Sequence, residues 1–277
     1  MPLRAEDGIV PDWPAPPGVR ALFTTRSGGV SAPPFDSFNL GDHVRDAPEC
    51  VATNRARLGE RIAARPVFLQ QVHGTTVAVL DAQTPDGTVA DACLSTRSGV
   101  ACTIMVADCL PVLFTNSAGT VVAAAHAGWR GLAGVDAQPA GQGVLETTVA
   151  AFVRAVQQMD PSADRDRIAA DMLVWLGPCI GPQAFEVGPE VRAAFVQSDP
   201  AAERAFVAQP AGGGKFLADL SALARLRLQA MGITRIHGND GTEAWCTATQ
   251  SLRFFSHRRD AVRLGSTGRM AACIWRR

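Results

Sequence analysis

His73 in "QQVHGTT", Cys109 in "VADCLPV" and His126 in "AAAHAGWRG" each follow an apolar run and precede Gly or Pro within a few residues. Two imidazoles and a thiolate are donors that zinc prefers, and a catalytic zinc takes three protein ligands while leaving a fourth position to water or substrate. The three are separated by 36 and 17 positions, which is no short zinc signature. They can meet only if strand ends converge at one rim of a sheet, where turn glycines would let a substrate approach the backbone. The same residues also support a metal-free reading, with Cys109 as nucleophile and His73 or His126 as its base. Each has an ordinary alternative as well: a hydrogen-bonded structural histidine, or a small buried thiol.

The neighbours extend the candidate site. Asp108, inside the apolar stretch "TIMVADCLPVLF", either orients a base or a water, or hydrogen-bonds turn amides. Arg130 offers a fork suited to an anion such as phosphate, or a surface ion pair. Trp129 can stack on a planar ring or pack in a core. Arg258 and Arg259 in "SHRRD" form a second basic cluster, for substrate binding or as a solvated face.

Those residues need a frame. "VRALFTT", "PVFLQQV", "TTVAVLD", "GVACTIMVA", "PVLFTN", "TVVAAAHA", "MLVWLG", "ITRIHG", "SLRFFSH" and "RMAACIWRR" are short and apolar, and predict buried strands. Apolar residues at helical spacing predict helices over 49–63, 143–159 and 163–170, through "GPEVRAAFVQ", and through "DLSALARLRLQAMGI" with Asp219 as N-cap and Gly232 as stop. Strands and helices mix without strict alternation, so an α+β layered domain is expected rather than a Rossmann fold. Residues 1–18 are Pro-rich and read as an extended segment, with one domain over 19–277 and loops at 133–143 and 208–215.

The 277 residues are 47% hydrophobic, enough for a large core, and 26 basic side chains balance 26 acidic ones. No net field draws the chain to nucleic acid or a membrane surface, so a small-molecule partner is expected. Seven cysteines without a CxxC pair predict a reduced, cytoplasmic protein, and neither a secretory signal nor a membrane-spanning run is visible. Tyrosine is absent, which excludes phenolic acid/base chemistry.

The chain resembles, along nearly its whole length, the YfiH family, also called the multicopper polyphenol oxidase or laccase-domain family and described as purine nucleoside phosphorylases. The matching segments are "TTRSGGVS", "PFDSFNLGDHV", "NRARL", "QQVHG", "VADCLPVL", "AAAHAGWRGL", "LGPCIGPQAFEVGPEV", "DLSALAR", "FFSHRRD" and "GRMAACIW". The resemblance implies a four-layer α/β/β/α sandwich with mixed sheets and a zinc held by His73, Cys109 and His126. It also implies phosphorolysis of adenosine, inosine and methylthioadenosine, with adenosine deamination as a further activity. Nucleoside and phosphate would be the partners of a monomer or homodimer. Copper and laccase activity, editing of peptidoglycan precursors and cysteine hydrolase chemistry have been attributed to the family too. A laccase needs several coppers rich in imidazole, and five histidines without an HxH pair do not supply them. The deaminase pattern HxE with PCxxC is absent, so deamination would use another zinc frame.

The chain departs from the family at two places. "GVDAQPAGQ", residues 134–142, intervenes beside the expected site, which puts the position of Arg130 in question. His257 stands where the family commonly has Tyr. A binding protein that keeps the metal site without turnover is a third expectation, from another class.

Overall fold

The computed structural model describes residues 8–138, 141–209 and 213–277. Parts of the expected N-terminal segment and of both loops, residues 1–7, 139–140 and 210–212, lie outside them.

In chain order the elements begin with strands Gly8–Ile9 (β1) and Val19–Thr24 (β2), helix Pro48–Ile62 (α1), and strands Arg65–Phe68 (β3) and Val77–Val79 (β4). Ala92–Ser95 (β5), Val100–Val106 (β6), Leu110–Asn116 (β7) and Val122–Ala127 (β8) follow, then helices Trp129–Ala133 (α2), Val144–Met159 (α3) and Arg165–Asp171 (α4). Met172–Leu176 (β9), Glu186–Val187 (β10), Pro189–Val196 (α5), Phe206–Ala208 (β11), Phe216–Ala218 (β12) and Leu220–Ala230 (α6) come next. Arg235–Gly238 (β13), His257–Leu264 (α7) and Met270–Arg276 (β14) close the chain.

The strands form a five-stranded sheet, β1-β2-β14-β6-β3, and a six-stranded sheet, β13-β9-β7-β8-β5-β4, with a small sheet β10-β12-β11 beside them. Both large sheets are mixed, because β3 runs parallel to β6, and β4 to β5 and β13 to β9, among antiparallel neighbours. The layers follow from residue parity. Cys102, Ile104 and Val106 of β6 turn inward and pack with Cys93, Leu113, Val122, Ala124 and Trp175 of the six-stranded sheet. Ala101 and Met105 turn outward, into a cluster with Leu58 and Ile62 of α1. The opposite face of the six-stranded sheet, including Val112, Phe114, Ala123 and Ala125, packs against Leu145, Val149 and Phe152 of α3 and Leu223 and Leu228 of α6. Strands covered on both faces read as continuous apolar runs, which is why the alternation is invisible in the sequence. The result is the expected α/β/β/α sandwich in one domain.

Two strand expectations fail at the rim. "SLRFFSH" is a turn leading into α7: Phe254 and Phe255 are fully buried between the sheets without joining a ladder, and the Ser256 side chain accepts the Arg259 amide and caps the helix. Beyond β3, "QQV" is not a strand either. Gln71 replaces the ladder with its side chain, donating from Nε2 to the Met105 carbonyl and accepting the Met105 amide at Oε1, both at 2.8 Å.

"TIMVADCLPVLF" is the crossover between the sheets. β6 ends at Val106 in one sheet and β7 starts at Leu110 in the other. Asp108, at φ 87°, makes the turn in the left-handed region that non-glycine residues seldom occupy.

Candidate metal centre

His73, Cys109 and His126 come together at the rim between the sheets, with one ligand atom of each lying within 4.8 Å of the other two. Cys109 Sγ is 3.8 Å from His73 Nε2, and the two imidazole rings meet edge to face with centroids 4.7 Å apart. His126 sits near the end of β8, opposite Pro111 of β7. His73 lies on the loop after β3, also in the left-handed region at φ 60°.

What holds this loop is a residue the sequence reading missed. Asp91 is fully buried, yet its carboxylate accepts from four donors. Oδ1 takes the His73 amide at 2.8 Å and His126 Nδ1–H at 2.9 Å, and Oδ2 takes the Val72 amide at 3.1 Å and the Gly74 amide at 2.7 Å. Burial alone would raise the Asp91 pKa, but His126 and these amides hold it below its ordinary value. An ionised carboxylate only accepts, so the proton of neutral His126 is on Nδ1 and Nε2 is left free as a ligand. The available signal was an acid inside the apolar run "VADACLS", the same pattern as "VADC" around Asp108.

The glycines of "HAGWRG" are packing requirements. A Cβ on Gly128 would stand 2.8 Å from His73 Cδ2 and 3.0 Å from Cys109 Sγ. One on Gly131 would stand 2.8 Å from the Gly74 carbonyl oxygen, so α2 seats directly on the His73 loop.

Of the three donors, Cys109 is shifted toward the deprotonated form that ligates a metal, whereas His126 must give up its second proton to do so. Burial works against the Cys109 thiolate, but His126 and His73 overcome it and bring the pKa down to about 6. Burial likewise works against charged His126, but the thiolate and Asp91 raise its pKa to about 9. A stabilised thiolate beside two imidazoles fits one tetrahedral zinc. Among the described residues this is the one group of three or more such side chains placed to hold a metal, which does not fit a multi-copper laccase centre.

The trio opens on a cavity of about 390 Å³, lined also by Asp108, Trp129, Phe185, His257, Arg258 and Arg269. That volume suits a small molecule. Asp108 anchors its walls: Oδ1 accepts Thr247 Oγ1–H and Oδ2 accepts the Arg258 amide, both at 2.6 Å, while its carbonyl accepts the Ile180 amide at 2.9 Å. Arg258 lies over the Phe185 ring at 5.6 Å and donates to the Glu186 carbonyl at 2.9 Å.

Arg259 and Arg130 do not line this cavity. Arg259 turns to the other side of α7, pairs with Asp260 at 2.7 Å and donates to the carbonyls of Thr247, Ala248 and Phe254. There it borders an open groove of about 920 Å³ that contains none of the trio. Arg130 lies over Trp129 at 5.2 Å and pairs at 3.5 Å with Asp136, a residue of the 134–142 insertion. The Gly141 amide donates to the Gly134 carbonyl at 3.4 Å. No described residue of the insertion lines the cavity.

Residues 20–277 match the sequence model of the multi-copper polyphenol oxidoreductase laccase family. The chain belongs to this family. It is 51% identical over 268 residues to a purine nucleoside phosphorylase of Pseudomonas aeruginosa, covering 96% of this chain and 97% of that one. It is 48% identical to the purine nucleoside phosphorylase YfiH of Escherichia coli, covering 96% and 98% of the two chains. Among solved structures, a Neisseria meningitidis protein superposes with a TM-score of 0.81 at 45% identity, over 98% of this chain and 99% of that one. Bacillus licheniformis YfiH does so with a TM-score of 0.76 at 27% identity, over 94% and 93%. The YfiH resemblance and the layered fold are thereby established for this family member.

Proposed function

We propose that the chain is a zinc-dependent purine nucleoside phosphorylase acting on adenosine, inosine and methylthioadenosine, with adenosine deamination as a second activity. The observation that carries this reading is the His73, Cys109, His126 centre opening on a small-molecule cavity, in a chain whose relatives of about 50% identity are named purine nucleoside phosphorylases. When bound, zinc supplies Lewis acidity, which stabilises negative charge developing on a leaving group or activates water.

The chain's own residues do the rest. Asp91 keeps the His126 proton on Nδ1 and fixes the His73 loop through three amides. Trp129 and Phe185 offer flat faces to a purine, and Arg258, backed by Phe185, brings positive charge to the same wall. Asp108 holds that wall together through Thr247 and the first turn of α7. Every one of these groups comes from one chain, with nucleoside and phosphate as partners of a monomer or homodimer.

No helix among the described residues is long and apolar enough to cross a membrane, and all seven cysteines are free thiols, which supports residence in the reducing cytoplasm. Mass spectrometry of the products from adenosine tests the reading. With phosphate, adenine and ribose 1-phosphate are expected, and without it inosine. No product above the metal-stripped control overturns the proposal.

A second reading has one observation in its favour. The lowered Cys109 pKa and the 3.8 Å approach of His73 are also what a cysteine nucleophile uses, for example in a hydrolase acting on a cell-wall precursor. Activity that survives metal removal and is lost on alkylation of Cys109 would favour it.

A further inference from the structure

We propose that the guanidinium of Arg269, flanked by His43, is the oxyanion subsite of the cavity, and that inorganic phosphate is its occupant. This rests on the phosphorolysis reading above and names the group that receives the co-substrate. Neither residue belongs to the basic clusters that the sequence singles out.

Arg269 is held in place by its backbone. Its amide donates to Asn39 Oδ1 at 2.8 Å, and its carbonyl accepts the Leu40 amide at 3.1 Å. The side chain then passes over Gly41, where a Cβ would stand 2.7 Å from Arg269 Cγ and 3.4 Å from His43 Cε1. A side chain at position 41 would therefore displace Arg269, and both Arg269 and His43 line the cavity that holds the trio.

The guanidinium is incompletely satisfied. Nη1 donates to the Thr267 and Gly268 carbonyls at 3.0 and 3.2 Å, and among the described residues no carboxylate lies within ion-pair distance. Arg26, Arg55, Arg227 and Arg259 each have such a carboxylate. The negative groups close enough to act on Arg269 are Cys109 and Asp108, and both Asp108 oxygens already accept from other donors. A half-buried guanidinium without a paired carboxylate keeps donors free for an anion that a ligand brings. The planar fork matches a tetrahedral oxyanion, and its place in the lining of the same cavity as the trio puts that anion in the chamber of the reacting centre.

Calorimetric titration of the zinc-loaded protein with inorganic phosphate tests the subsite. Arg269→Gln is expected to weaken phosphate binding by about 10- to 100-fold, the loss of charge-assisted hydrogen bonds, while Arg235→Gln on the surface binds as the wild type does. Equal affinity in wild type and Arg269→Gln, or no phosphate binding by the wild type, overturns the proposal. If Arg269→Gln does not unfold cooperatively, Gly41→Ala decides, because it keeps the charge and displaces it: weakened phosphate binding supports the subsite and unchanged binding overturns it. Adenosine 5′-monophosphate titrated in parallel separates two sources of the same group. Loss of nucleotide binding with unchanged inorganic phosphate overturns free phosphate as the occupant.

Product analysis separates this inference from the reading it rests on. Phosphorolysis with an unchanged KM for phosphate in Arg269→Gln overturns the subsite and leaves the function. Phosphate binding that depends on Arg269, without any adenine from adenosine, overturns the function and leaves the subsite.

Discussion

Cys102 and Cys109 lie seven residues apart on one continuous apolar stretch, and their thiols behave in opposite ways. Cys102 is in the middle of the sandwich, where burial first and then the neighbouring Cys93 push its pKa well above the ordinary value. Cys273, on β14, is pushed up to about 12, chiefly by burial. Cys109 stands at the rim, where the two imidazoles reverse the effect of burial and lower it to about 6. Depth in the protein therefore does not decide whether a thiol can ligate or react. What decides is whether the chain has brought a positive partner to it, and at the rim the crossover at Asp108 and the Asp91 clamp do so.

Removing the rim thiol should have the largest effect. Cys109→Ala is expected to lose zinc and phosphorolysis together, by more than the 10–100-fold that loss of an outer hydrogen-bond partner costs, as read by elemental analysis and product formation. Full zinc retention would erase the distinction between rim and core. Asp91→Asn should come next, lowering zinc affinity by about 10–100-fold in a competitive chelator titration while all three ligands remain.

The metal-free protein should show the contrast through pH. The stability that the depressed Cys109 pKa contributes is fully present above the ordinary thiol value of 9.0 and disappears as pH falls through about 6. That from the raised His126 pKa is fully present below the ordinary 6.5 and disappears as pH rises through about 9. Between about 6 and about 9 the first contribution grows as the second fades, so the two nearly cancel and thermal unfolding of the stripped protein should change little with pH, whereas alkylation of Cys109 should rise with a midpoint near 6 while Cys102 stays unreactive. Equal labelling of both thiols, or a Cys109 midpoint at the ordinary thiol value, breaks the comparison. The smallest effect is expected from Cys102→Ala, which should cost ~1 kcal/mol in denaturant unfolding and leave zinc content unchanged.

Much of the frame was legible because burial on both faces writes long apolar runs, and the α3 and α6 faces repeat at helical spacing. The trio was legible because His73, Cys109 and His126 each interrupt or end such a run beside Gly or Pro. Asp91 was not, since a carboxylate that serves four donors from two distant segments leaves no local spacing to read. Adjacent Arg258 and Arg259 read as one cluster, yet α7 sends one to the cavity and the other to Asp260. Arg269 was invisible for the converse reason: nothing beside it in "TGRMAA" reports that Gly41 and His43 lie against it. The "FF" of "SLRFFSH" misled because deep burial does not require a ladder.

Zinc-edge X-ray absorption on the protein as purified tests the centre most directly. The account predicts one sulfur at about 2.3 Å and two imidazole nitrogens at about 2.0–2.1 Å around a single zinc, with the sulfur lost in Cys109→Ala. A zinc with only nitrogen and oxygen neighbours, or a protein that binds no zinc, would contradict it.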